Sequence, residues 1–190
     1  MSARSAASGG PTADVSVRVA WADDAPAIAA VQVQAWRRQF ADVLPASALP
    51  DDVDALAATW QTSLTRPADA RNRVLVALER NRVVGFAVTV PASDPDCDPI
   101  ADGELADLMV LPDEQGAGHG SRLLQAVADT LAADRFTRAV TWVLSGDDAR
   151  RAFLTAAGWG PDAAHRELDL DGTGSTQVKQ VRLHTALIDA

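Results

Sequence analysis

The chain has 190 residues, 47% of them apolar, with a formal net charge of −9. That length supports one domain with a substantial core, and the composition is ordinary for a globular protein. The negative balance argues against broad electrostatic binding to nucleic acid or acidic membranes and is compatible with a cationic substrate.

Residues 1–14 are small and polar without apolar periodicity, so a disordered tail is expected there and a single domain over 15–190. Val15, Val17 and Val19 alternate with Ser16 and Arg18, the pattern of a short strand. Asp23-Asp24-Ala25-Pro26 is a helix start, with acidic residues at the positive end and proline in the first turn. Ile28, Val31 and Ala35 share one face, Trp36 and Phe40 adjoin it, and Leu44-Pro45 closes the helix. A second amphipathic helix is expected over 52–64, striped by Val53, Leu56, Trp60 and Leu64.

Residues 73–79 and 82–90 are strand-like, and Arg80-Asn81 between them suits a tight hairpin. Residues 91–102 form a loop with three prolines and four aspartates. The default expectation is a solvated loop, and the other is an acidic rim that attracts an amine. Cys97, the only cysteine, lies inside it, so no internal disulfide forms. Its aspartate neighbours disfavour the thiolate and a nucleophilic role.

An apolar strand follows at 104–111, ended by Pro112-Asp113-Glu114. Gln115-Gly116-Ala117-Gly118-His119-Gly120 then runs into a helix from Ser121 to about Ala133, with Leu123, Val127 and Leu131 at helical spacing. Residues 137–144 form a buried-looking strand. A helix starts at Asp147 or Asp148 and stops at Gly158. Arg166, Leu168 and Leu170, then Val181, Leu183 and Leu187, make a terminal antiparallel hairpin around Gly172-Thr173-Gly174-Ser175. An exposed final strand could pair with a second copy, which leaves a homodimer open.

The glycine stretch has the chemistry of an anion site. The first N–H groups of a helix lack intrahelical partners and carry the positive end of the dipole. Glycines at 116, 118 and 120 let a phosphate approach the backbone. Their G-x-G-x-G spacing does not fit the dinucleotide fingerprint, and no Gly-Lys-Ser/Thr follows for a nucleotide P-loop.

Gln115, Gly118 and Gly120, after a strand ending Val110-Leu111-Pro112, resemble the acetyl-CoA signature of the GNAT superfamily of N-acetyltransferases. Phe153, Gly158 and Trp159 resemble a second family segment, and the element order is similar throughout 15–190. The resemblance implies an α/β GNAT fold, a mixed central sheet of about seven strands flanked by about four helices. It implies acetyl transfer from acetyl-CoA to a primary amine of a small molecule or protein, by direct attack in a ternary complex. A non-catalytic acetyl-CoA sensor or assembly module on the same fold is the alternative.

The resemblance also assigns roles. Gln115, Gly116, Ala117, Gly118, His119, Gly120 and Ser121 would cradle the pyrophosphate, and the backbone at Met109 and Val110 would bind the pantetheine arm. The strand at 104–111 would splay from that at 137–144 to admit the thioester. Glu104 is the first candidate for general base and Asp107 the second. Trp36, Arg37, Phe40 and Trp60 are candidate acceptor contacts. The family's usual tyrosine, which protonates the thiolate, is replaced by Leu154, and the chain contains no tyrosine. Water, Ser145 or Thr155 is left to assist. His119, His165 and His184 lie far apart without metal-ligand spacing, so no metal is expected. No apolar run approaches a membrane span and no signal-peptide core is present, so a cytoplasmic protein is expected.

Overall fold

A computed structural model describes residues 15–44, 48–49, 51–170, 172, 174 and 176–187. The expected tail at 1–14 and the expected helix stop at Pro45 lie outside the described residues. The described elements are β1 (Val15–Val19), α1 (Ala25–Gln39), α2 (Val53–Thr65), β2 (Arg73–Glu79), β3 (Arg82–Pro91), β4 (Asp102–Val110), α3 (His119–Ala133), β5 (Arg138–Leu144), α4 (Asp148–Ala156), β6 (Gly160–Asp169) and β7 (Gln177–Ala186). They build one seven-stranded mixed sheet in the order β1-β2-β3-β4-β5-β7-β6.

Local chemistry sets most boundaries. The Asp52 carboxylate accepts from the Ala55 N–H at 2.9 Å and caps α2. Arg80 and Asn81 both have positive φ, 46° and 68°, as a two-residue hairpin requires. The Asp147 carboxylate caps α4 by accepting from the Arg150 N–H at 2.9 Å. The helix of Trp36 stops sooner than its apolar pattern: α1 ends at Gln39, and Phe40 to Leu44 continue as turns.

Each face of the sheet is covered. On one face α3 places Leu123, Val127 and Leu131, all fully buried, against Leu105, Leu108 and Val110 of β4. Each such side chain contributes roughly 1.5–3 kcal/mol of burial. On the other face α1 packs Ile28 and Val31 against Val76, Phe86 and Met109. Leu154 and Trp159 join the α3 side.

Two features of β4 matter beyond stability. It pairs in parallel with β5 only over Asp102 to Glu104, opposite Arg138 to Val140. Beyond that point β4 stays with β3 while β5 stays with β7, and the sheet forks. A bulge also interrupts the β3–β4 ladder: Val88 faces Asp107, Thr89 faces Leu105, and Ala106 is left over. Leu105 and Leu108, three apart, therefore both enter the α3-side core. Glu104 and Asp107, also three apart, lie on the opposite face.

The final strand is not an edge. β7 lies between β5 and β6, with both sides paired. The exposed edge beside it belongs to β6, because the terminal hairpin folds back between its own first strand and β5. No helix among the described residues is long and apolar enough to cross a membrane.

Candidate active site

Past Glu104, the carbonyls of β4 that face the fork have lost β5 as a partner. Buried carbonyls need donors, and side chains supply them. Thr141 Oγ1 donates to the Leu105 carbonyl at 2.8 Å. Arg150 Nη1 donates to the Leu108 carbonyl at 2.9 Å. Gln115 Nε2 folds back to within 3.5 Å of the Val110 carbonyl.

A cavity of about 330 Å3 opens at this fork, lined by Trp36, Phe40, Asp107, Trp142, Arg150 and Leu168 among others. Burial pushes the Asp107 carboxyl up to about 6, and the Arg150 guanidinium works in the opposite direction. Burial in turn lowers Arg150 from the ordinary arginine range. Glu104, the last β4 residue paired with β5, is half-buried. Its carboxyl is raised first by burial and then by the charge of Asp94. The fork thus carries two carboxyls shifted toward neutral pH on one face of one strand.

Of the other expected contacts, Trp36 and Phe40 reach this cavity. Arg37 is exposed and does not line it. Trp60 is structural: its ring meets Phe86 edge-on at 5.3 Å, and its Nε1 donates to Gln32 Oε1 at 2.7 Å.

The glycine turn opens α3. Gly118 is the N-cap, left-handed at φ 86°, with no side-chain cap. Gly116 is also left-handed at φ 81°, and a Cβ there would meet nothing within 4 Å. The first α3 N–H groups therefore end at an uncapped, open backbone, which fits a phosphate. His119 is 1% exposed, so its ring faces away from that surface and only its backbone serves the turn. A groove of about 1050 Å3 continues from Ser121 between α3 and α4, faced by Phe153, Ala156 and Trp159.

The acidic loop is tied down. Arg182 of β7, 3% exposed, donates through Nη1 to Asp94 at 3.2 Å, through Nη2 to Asp96, and through Nε to Asp162 at 2.8 Å. Trp142 Nε1 donates to the same Asp94 carboxylate at 2.9 Å. Asp96 is held down at about 2 by its bond to Arg182. Asp94 and Asp96 are thus paired within the protein, while Asp98 of the same loop stays exposed. Burial pushes the Cys97 thiol up, as the expectation of an inert cysteine requires.

Leu154 is 1% exposed and sits in the core with Leu123 and Trp159. The helix presents Arg150, one turn earlier, to the fork instead. Sequence reasoning missed Arg150 and Arg182, since an arginine in an amphipathic helix or alternating strand reads as solvated surface. The one available signal was the alternation around Arg182, which puts it on the face opposite Leu183.

The sequence model described as the Acetyltransferase (GNAT) family matches residues 33–159, more than half of the chain. No curated protein matches. Solved structures do. An N-acetyltransferase from Staphylococcus aureus Mu50 superposes with a TM-score of 0.69 at 18% identity, covering 92% of this chain and 99% of its own. A ribosomal-protein-alanine N-acetyltransferase from Brucella melitensis gives 0.70 at 20% identity, covering 90% and 99%. The PaiA N-acetyltransferase from Thermoplasma acidophilum, in complex with coenzyme A, gives 0.66 at 12% identity, covering 90% and 98%. At these identities the likeness is one of fold.

Proposed function

This chain belongs to the GNAT acetyltransferase family, and we propose that it transfers an acetyl group from acetyl-CoA to a primary amine of a small molecule or protein, by direct attack in a ternary complex. Acetyl-CoA is the cosubstrate and supplies the activated thioester. The observation that carries the reading is Asp107: a carboxyl raised to about 6, in the wall of a cavity at the mouth of the forked sheet.

An amine attacks only after losing a proton, and a general base works best with a pKa near the working pH. Asp107 meets that condition and Glu104 stands beside it. The cavity supports Asp107 as the first base, directly or through one water, with Glu104 second, the reverse of the order the sequence suggested. Arg150 acts as a positioning residue. It holds the Leu108 carbonyl and favours the ionised form of Asp107. The uncapped turn at Gly116 to Ser121 binds the pyrophosphate, and the backbone at Met109 and Val110 binds the pantetheine arm. The apolar walls at Trp36, Phe40 and Leu168 suit an amine carried on an apolar body.

No side chain is assigned to protonate the leaving thiolate. A thiol near pKa 8.5 leaves acceptably with water as its acid, so the core leucine at 154 does not favour a non-catalytic reading.

The test is thiol release from acetyl-CoA over an amine panel, alongside calorimetric binding of acetyl-CoA. Asp107→Asn should lower kcat/KM roughly 10²–10⁴-fold with acetyl-CoA affinity within about twofold. Binding without thiol release for any amine would instead favour the sensor or assembly module.

A further inference from the structure

We propose that Glu79, Glu114 and His119 form a site for a divalent transition-metal ion of the zinc class, on the buried side of the turn that opens α3. The three residues come from three elements: the last position of β2, the 3-10 turn after β4, and the first position of α3. One carboxylate oxygen from each glutamate and one ring nitrogen of His119 all lie within 4.8 Å of one another. Their positions at 79, 114 and 119 explain why sequence spacing led to the expectation of no metal.

Paired acids alone are common on protein surfaces, and the histidine is what distinguishes this group. His119 is 1% exposed, and neither Nδ1 nor Nε2 has a hydrogen-bond partner. A neutral imidazole carries one donor and one acceptor. Leaving such groups buried and unpaired is destabilising, because their hydration is lost with nothing in exchange. A metal bond to the nitrogen that faces the two carboxylates would satisfy that atom.

The charge arrangement points the same way. Arg82 Nη2 contacts Glu114 and lies 3.6 Å from Glu79, so positive charge is already favoured between the two carboxylates. The Arg82 side chain is 57% exposed and free to swing into water when an ion displaces it. The glutamate side chains are 33% and 22% exposed, which gives an entry path. Two carboxylates and a neutral imidazole balance a 2+ ion. The nitrogen ligand favours zinc over magnesium or calcium.

Ligand atoms at about 2.0–2.2 Å from zinc lie within roughly 4.3 Å of each other, so small rotamer changes close the site around the ion. The fourth position would take water. Such an ion would clamp the β2–β3 hairpin to the turn, and the inference does not depend on acetyl transfer.

The experiment is calorimetric titration of the chelator-treated, tag-free full chain with Zn2+ alone, with Mg2+ as control and thermal melting in parallel. One Zn2+ should bind per chain and raise Tm, while Mg2+ does neither. Glu79→Gln and Glu114→Gln, both at partly exposed positions, should each weaken Zn2+ at least tenfold. Arg82→Ala should tighten it several-fold. His119→Asn should abolish binding, and if that buried substitution unfolds the chain the glutamate variants still decide. Absence of Zn2+ binding overturns the proposal. So does binding that both glutamate variants leave intact, which would belong to another group such as Asp94, Asp96 and Cys97.

Discussion

Arg150 of α4 donates to the Leu108 carbonyl of β4 at 2.9 Å, spanning the gap where β4 has parted from β5. One side chain thus closes a backbone hydrogen bond that a strand would otherwise make, and it brings a cation to the Asp107 carboxyl. Arg150→Met keeps much of the apolar stem and removes both effects. It should lower kcat, reduce Tm, and move the lower inflection of the pH–rate profile above 6, because Asp107 loses the charge that favours its ionised form. Arg150→Lys should return the inflection toward the wild-type position without restoring Tm fully, since an ammonium is a point charge without the planar fork. An unmoved inflection in Arg150→Met would remove Arg150 from the electrostatics of the base.

The base itself sets two pH dependences of opposite sense. Asp107 must be ionised to accept a proton, so kcat/KM should rise with pH through about 6 and level off above it. Its folded pKa lies above the ordinary carboxylate value of about 3.9, so the native state binds the extra proton between those limits. The contribution of Asp107 to stability is therefore fully present below about pH 4 and falls as pH rises through about 6. Asp107→Asn should flatten both profiles, losing activity while melting higher than wild type at pH 7. Chemical denaturation at pH 5 and pH 7.5 on both proteins checks the sign.

Gly118 is left-handed at φ 86° at the head of α3. A Cβ there would come 2.8 Å from Arg122 Nη1, the far end of a flexible side chain that can move aside. Backbone strain therefore dominates the expected cost of Gly118→Ala, about 1–2 kcal/mol. Because the strained residue carries the helix opening, acetyl-CoA affinity should fall at least tenfold in calorimetry while Asp107 keeps its pH inflection in whatever activity remains. Unchanged affinity would separate the turn from the cofactor.

Arg182 binds Asp94, Asp96 and Asp162 at once from inside β7. Breaking a fully buried pair costs roughly 3–5 kcal/mol, but here Asp162 keeps Arg138 at 2.9 Å and Asp94 keeps the Trp142 Nε1–H at 2.9 Å. Water also reaches the three carboxylates, at 16% exposure for Asp94, 12% for Asp162 and 63% for Asp96, so Arg182→Met should cost less, about 1–2 kcal/mol. The loop at 92–101 should also become more open to proteolysis, because its Asp96 anchor is lost and Asp94 is held by Trp142 without Arg182. Limited digestion beside a urea melt measures both effects.

The parts of this protein that sequence alone determined are those governed by neighbours along the chain. Alternation marked Val15–Val19, strand-like composition marked β2, helical spacing marked α3, and Asp52, Asp147 and Gly158 marked helix ends within a residue or so. The glycine turn was legible because left-handed φ values at 116 and 118 demand that residue type. Tertiary structure alone decided where the chemistry sits. A bulge at Ala106, invisible in composition, reverses the alternation of β4 and puts Asp107 on the same face as Glu104. Packing, not residue type, turned Leu154 into core and Arg150 toward the fork. Long-range pairing likewise moved the exposed edge from β7 to β6 and gathered Glu79, Glu114 and His119. Periodicity and capping act over a few residues, whereas register, burial and charge at a site depend on elements far apart in the chain that meet only on folding.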